Sequence, residues 1–226
     1  MKFVDFQYVM SSHRMGRYLN AVGGQTKKAM TLYRLNLRLA QEMFTIESCF
    51  EVALRNRIDS HYSSIHGSDW IRDAGSSTGM FNNQHCSKTA AIIATAMRNL
   101  PAYSHPKLVA AMDFGFWRYM FARHQFFAGG QTLLQIFPSK PRSTATLLYN
   151  HGFIFNELEK INELRNRLAH HEPICFANSI HTKDTGYARN NYSKMKTIFQ
   201  WMDIDEDALL YGLDHIIKVC TEIDTL

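Results

Sequence analysis

The sequence predicts an all-α protein. Apolar residues recur at intervals of three and four through most of the chain, strand-like alternation is scarce, and no Asn-Gly or Asp-Gly hairpin turn occurs. Of 226 residues, 46% are apolar and 20% charged, which excludes a wholly disordered chain. With 12 Gly, 5 Pro and 4 Cys, collagen-like, low-complexity and disulfide-scaffold classes are excluded as well. No repeat at solenoid period and no linker-like shift in composition is visible, so residues 1–226 are expected to form a single domain.

The elements follow in order. Ser11 to Leu19 reads as a short capped helix, closed by Gly23-Gly24. From Thr26 to Ile65, Leu32, Leu35, Leu39, Met43, Ile46, Phe50, Leu54 and Ile58 mark one face of a long amphipathic helix. Residues 67–84 are rich in Gly, Ser and Asn and predict a loop. Ser87 to Leu100 is helical and stops before Pro101, and Pro106 suits the first turn of another helix running through Val109 and Met112. The aromatic run Asp113–Phe121, and the pieces up to Phe137, predict short helices around a core. A second long helix is expected over residues 143–171, with Gly152 as a weak point and Pro173 as the stop. Residues 177–191 read as irregular. Residues 192–202 and 205–223 predict the last two helices, with Asp205 as N-cap and Glu206 and Asp207 in the first turn of the final one. The two long helices, 26–65 and 143–171, are expected to pack together with the shorter ones flanking them.

Location and partners are bounded next. Cys49, Cys86, Cys175 and Cys220 are scattered and form no Cys-x-x-Cys pair, which predicts reduced structural thiols in a cytoplasmic protein. Asp5 and Gln7 interrupt the apolar run a signal peptide needs, and no stretch approaches ~18 apolar residues, so no membrane association is expected. A formal charge of +5 and a pI near 9.0 tolerate a nucleic-acid partner without demanding one.

The segment that carries chemistry is Glu163-Leu-Arg-Asn-Arg-Leu-Ala-His-His-Glu-Pro173. Ile154, Leu158, Ile161 and Leu168 form an apolar stripe, and the same spacing sets Arg165 on it. An Arg in a buried row is costly unless it is paired or faces a polar cavity. Asn166 and His170 stand one above the other, four residues apart. At about 100° per residue, Arg165 and His170 are roughly 140° apart around the axis, so they meet only if the Arg curls or a symmetry mate supplies one of them. Arg, His and Asn together suit phosphodiester chemistry without a metal. The 2′-hydroxyl of RNA is an internal nucleophile, an imidazole can take or give its proton, and an Arg stabilises charge on the phosphate in the transition state. The products would be a 2′,3′-cyclic phosphate, or the 3′-phosphate after its hydrolysis, and a 5′-hydroxyl; DNA would not be cut. The competing reading is structural. Cations before a helix-ending proline complement the dipole and bond free carbonyls, and Arg165, Arg167, His170 and His171 fit that description.

The stretch Arg-Asn-Arg-Leu-Ala-His-His-Glu-Pro-Ile resembles the signature of the Abi-like (abortive infection) proteins of bacteria, within the HEPN superfamily. That signature is an Arg, usually a polar residue next, and four to six residues before a His; Arg165, Asn166 and His170 fill it. Glu51-Val-Ala-Leu-Arg-Asn-Arg-Ile58, the Gly67…Trp70 step and Phe114-Gly-Phe-Trp117 resemble the family's other landmarks in the family's order. The resemblance implies a HEPN-like helical bundle acting as an endoribonuclease in phage defence or a toxin–antitoxin system. It implies a homodimer whose two motifs face one cleft, and an antitoxin partner, either protein or small RNA. Arg165 then binds phosphate, His170 is the acid/base and Asn166 orients them. His171 is a second candidate, because a five-residue gap also fits the signature.

A second set lies on the other long helix, where Arg55, Asn56 and His61 follow Glu51. Glu51, four residues before Arg55, is oriented for an ion pair that would brace the helix. Alternatively the set adds a second Arg and His to the cleft. No His-Glu-x-x-His, Glu-x-x-His or phosphate-binding glycine loop occurs, so neither a metal nor another cofactor is expected. The aromatics of Phe114–Phe127 either stack bases or fill the core. Lys27, Lys28, Arg34, Arg38, Lys183, Arg189, Lys194 and Lys196 are the candidate RNA contacts. Two other functions fit the residues: a non-catalytic RNA-binding or protein-interaction module on the same fold, and a small-ligand or nucleotide-transfer partner of another enzyme.

Overall fold

The computed structural model describes residues 1–176 and 181–226. Among them are twelve α-helices, two short 3₁₀ turns and one isolated antiparallel bridge between Phe176 and Lys183, with no strand. The all-α expectation holds. The backbone divides into two compact units. One comprises Met1–Ser48, Glu163–Thr197 and Glu206–Leu226, and the other Cys49–Asn162 and Ile198–Asp205.

The long helix expected from residue 26 is α3, Thr26–His66. No Gly or Pro interrupts it. Leu32, Leu39, Met43, Ile46, Phe50, Leu54, Ile58 and Tyr62 are all fully buried along its inner face. It ends where Gly67 takes φ +93°, a left-handed value that favours glycine.

In the first unit, α1 (Phe3–Met10) and α2 (Ser12–Ala21) precede α3. The rings of Phe6, Tyr33, Tyr18 and Phe176 meet edge to face in a chain, with centroids 5.4, 5.1 and 5.0 Å apart. The end of α9 (His151–Ala169), most of α10 (Gly186–Trp201), α11 (Glu206–Leu209) and α12 (Ile216–Thr225) complete this unit. The Asp224 carboxylate ties α12 to the start of α10. It accepts from the Thr185 hydroxyl at 2.9 Å and from Arg189 Nη2 at 2.9 Å.

The second unit holds α4 (Trp70–Ala74), α5 (Ser87–Asn99), α6 (His105–Ala111), α7 (Phe114–Tyr119) and α8 (Arg123–Ala128). Asp59, on α3, is its polar hub, accepting from Trp70 Nε1 at 2.8 Å and contacting His105 Nε2 at 2.7 Å. Asp113 caps α7 by accepting from the Phe116 amide at 2.8 Å. Phe114, Phe116, Trp117, Phe121 and Phe126 are buried and fill core, while Tyr119 and Phe127 are exposed.

Five expectations change. Residues 3–10 form a helix that was not expected, because Phe6 is its only fully buried residue and the period is too weak to read. The loop at 67–84 contains α4, one turn too short for a periodic signal, held by buried Trp70, Ile71 and Ala74. The second long helix starts at His151, not residue 143. Residues 143–148 are exposed, and local bonds replace the helix: Ser143 Oγ accepts from the Tyr149 amide, and Asn150 Oδ1 caps α9 at the Phe153 amide, 3.0 Å away. Gly152 therefore sits in the first turn and breaks nothing. The helix expected over 205–223 is two, α11 and α12, because Gly212 takes φ +74° between them. α10 also begins six residues early, at Gly186 instead of Tyr192, capped by Asp184 at 2.7 Å. Residues 177–180 of the expected irregular segment lie outside the described residues.

Buried Asn36 on α3 accepts from the Ile174 amide at 3.0 Å, fixing the chain just after α9. Asn36→Ala leaves that buried amide unpaired and costs about 1–3 kcal/mol, measured by urea denaturation.

Candidate functional site

The motif occupies the last two turns of α9 and the turn that ends it. Ile154, Leu158, Ile161 and Leu168 are buried as expected, but the stripe continues through Leu164, which is fully buried, rather than Arg165. A 3.6-residue repeat drifts against alternating threes and fours. Arg165 is displaced to the flank, half-buried and engaged by other groups. Asn166 and His170 are exposed. The His170 amide still donates to the Asn166 carbonyl at 3.0 Å, so both remain in helical register.

The helix closes in a Schellman turn. The Glu172 amide donates to the Arg167 carbonyl at 2.8 Å and the His171 amide to the Leu168 carbonyl at 3.0 Å. His171 takes φ +54° at the position where glycine is favoured. Three side chains hold this strained turn. Arg14 Nη2 donates to the His171 carbonyl at 2.9 Å, Arg167 Nη2 to the Pro173 carbonyl at 2.7 Å, and Asn36 fixes Ile174. Arg167 also pairs with Glu172 at 3.4 Å and lies 4.5 Å from the Tyr187 ring centroid. The structural reading of the terminal cations thus describes Arg167, while exposed Asn166 and His170 have no such work.

The second set is in the other unit. Arg55 makes no ion pair among the described residues, and its buried Nε has no hydrogen-bond partner, so the expected Glu51–Arg55 brace does not form. Asn56 is exposed. His61 is half-buried, with Nε2 2.9 Å from Thr132 Oγ1. Burial and the charge of His66 hold its pKa below the usual 6.5.

Several expected RNA contacts are bound within the chain. Arg38 pairs with Glu222, Arg189 with Asp224, and Lys196 with Asp207. Lys28 and Lys183 donate to backbone carbonyls at the end of α12. The sequence reading missed a different basic feature. A cleft of about 490 Å³ is lined by His13, Arg14, Arg17, Tyr18, Pro173 and His181, among others. Its sequence signal is His13, Arg14 and Arg17 within one turn and a half of α2.

Three of the four cysteines are buried. Burial pushes the Cys175 thiol up to about 12, as expected of an inert structural thiol. No described helix is long and apolar enough to cross a membrane. Among the described residues no group of three or more His, Cys, Asp or Glu is placed to hold an ion.

The profile of the Abi-like protein family matches residues 2–175, which include all the landmarks and both Arg/His sets. Comparison with curated proteins and with solved structures gives no significant match.

Two outcomes follow from the geometry. His171→Gly relieves the left-handed strain, partly offset by glycine's added unfolded-state entropy, and stabilises the protein by about 0.5–1 kcal/mol in thermal or urea unfolding. His61 has a depressed folded-state pKa, so its stability contribution is present above pH 6.5 and lost as pH falls through the folded value. His61→Asn therefore flattens the decline of the melting temperature below pH 6.5.

Proposed function

Because the chain belongs to the Abi-like protein family, we propose that it is a metal-independent RNA endonuclease of the HEPN kind. Family membership points to abortive infection, a form of phage defence; a toxin–antitoxin arrangement is the related setting we propose. What carries the reading is Arg165, Asn166 and His170 at the end of α9, with the His and Asn exposed and the helix end braced by residues outside the triplet.

In this reading His170 takes the proton of an RNA 2′-hydroxyl, and the oxygen attacks the adjacent phosphorus. The 5′-oxygen leaves and is protonated, giving a 2′,3′-cyclic phosphate and a 5′-hydroxyl. Arg165 neutralises the charge that builds on the phosphoryl oxygens. Asn166, one turn before His170, orients the imidazole or the phosphate. His171 serves through its backbone, in the left-handed turn. Arg165 and His170 leave the α9 axis about 140° apart, which favours a homodimer in which each motif completes the other. Glu51, Arg55, Asn56 and His61 are secondary candidates only. His61 spends its Nε2 on Thr132, which favours a bracing role.

The same 140° separation supports the second reading, a non-catalytic RNA-binding or protein-interaction module. If the protein stays monomeric, no partner motif completes the set. An antitoxin, protein or small RNA, remains part of the proposal as the agent that holds the activity in check.

Purified protein is expected to cut single-stranded RNA, but not the matching DNA, in the presence of EDTA. His170→Ala abolishes cutting while His171→Gly retains it. Arg165→Ala lowers kcat about 10²–10³-fold and changes KM far less, because its bonds strengthen in the transition state. Cutting that persists in His170→Ala would refute the site assignment. RNA bound but never cut by the dimeric wild-type protein would favour the non-catalytic module.

A further inference from the structure

Two rings of the aromatic run stay at the surface of the second unit, Tyr119 and Phe127. Tyr119 is engaged: its ring meets Phe155 edge to face, and the Arg118 guanidinium lies 5.0 Å from its centroid. Phe127, in the last turn of α8, instead lines a cleft of about 380 Å³ together with Asn83, His85, Arg123 and His124. The ring is set in place. Buried Phe126 and His151 stand nearly perpendicular to it, with centroids 6.1 and 5.8 Å away. Even so, Phe127 keeps 49% of its surface open.

His85 and His124 contribute a second fixed feature. Their rings stack, with centroids 4.3 Å apart and planes 10° from parallel. Neither imidazole makes a hydrogen bond among the described residues, so the ring nitrogens are unspent. His85 stands on the 3₁₀ turn Gln84–Cys86, where the Asn83 side chain accepts from the His85 and Cys86 amides at 3.1 and 3.0 Å. On α8, buried Gln125 donates to Thr89 Oγ1 of α5 at 2.9 Å. Both elements that carry the stack are therefore anchored.

The charge in the cleft is positive and unopposed. No Asp or Glu is among the lining residues. Elsewhere in this unit Arg72 pairs with Asp69 and Arg118 with Glu159. Arg123 is exposed and makes no ion pair or hydrogen bond among the described residues. An open aromatic face takes a base, imidazole edges offer hydrogen bonds, and a guanidinium takes a phosphate. A base within a duplex has its faces covered by its neighbours, so only an unpaired base offers one to Phe127.

We propose that this cleft is a nucleotide subsite for single-stranded RNA. Phe127 stacks on an unpaired base, Arg123 pairs with an adjoining backbone phosphate, and the His85/His124 pair hydrogen-bonds the nucleotide between them. The subsite rests on the ribonuclease reading for its substrate, but it concerns binding, and its residues are separate from the Arg165/His170 motif. A free mononucleotide shares the chemistry, and the test separates the two sources.

The test uses full-length protein and a labelled, fully 2′-O-methylated RNA oligonucleotide, which binds but cannot be cut. Phe127→Ala is expected to weaken binding about tenfold and to leave its salt dependence unchanged. Phe127→Trp restores the affinity. Arg123→Gln makes the slope of log affinity against log salt shallower by about 0.7. On an abasic oligonucleotide of the same length Phe127→Ala binds like wild type, while Arg123→Gln still changes the slope. A free nucleoside monophosphate displaces the oligonucleotide only weakly. The subsite is refuted if Phe127→Ala and Arg123→Gln, both folded by circular dichroism, bind with wild-type affinity and slope. It is equally refuted if the nucleoside monophosphate binds in a Phe127-dependent way but the oligonucleotide does not. Failure of the ribonuclease reading is separate, seen as intact unmodified RNA with Phe127-dependent binding preserved.

Discussion

Arg14 donates to the carbonyl of His171, and the turn that ends α9 depends on that bond and its two neighbours. A helix leaves its last carbonyls without amide partners. Here the Schellman closure satisfies the Arg167 and Leu168 carbonyls, Arg14 takes that of His171, and Arg167 reaches forward to Pro173. The closure forces His171 into a left-handed conformation that a β-carbon resists. Residues held this way persist only where the surroundings over-determine them, and such positions gather at functional sites. The three supports come from α2, α3 and α9, so the turn is positioned by the packed unit and not by its local sequence.

That arrangement divides the labour among residues the sequence sets side by side. Arg167 spends its charge and its donors on Glu172, Pro173 and Tyr187. Asn166, just before Arg167, and His170, three residues after it, are left at the surface with their functional groups unspent. A rigid turn beneath an exposed imidazole is what general acid–base chemistry needs, since the proton must move over a hydrogen-bond distance. In the proposed reaction the missing element is a guanidinium on the far side of the phosphate, which a second copy of the helix would supply.

Electrostatics follows the same division. The net excess of five positive charges is not a uniform field. Carboxylates on α11 and α12 consume Lys196, Arg38 and Arg189, and the carbonyl end of α12 takes Lys28 and Lys183. On α2, Arg14 spends a donor on the His171 carbonyl at the end of α9.

The sequence by itself determined the helical class, the long helix α3, the buried aromatic run of α7 and the motif's place at the end of a proline-stopped helix. Each of these is written in local terms: a period, a cap, a proline. It also marked Gly67 and Trp70, whose reasons are local too, a left-handed helix stop and a one-turn anchor on Asp59. Local pattern failed at 143–150, where helix-compatible residues have no face to bury against, and at Gly212, where a single left-handed residue splits what the period joined. It failed again at Arg165, where a repeat of 3.6 puts Leu164 inward. Only the tertiary structure decided which cations pair with carboxylates and which residues brace the motif. Arg14 is 157 positions from His171, and Asn36 is 138 from Ile174. Bonds across such separations exist only once the packed unit brings α2 and α3 to the end of α9, and no window along the chain contains both partners.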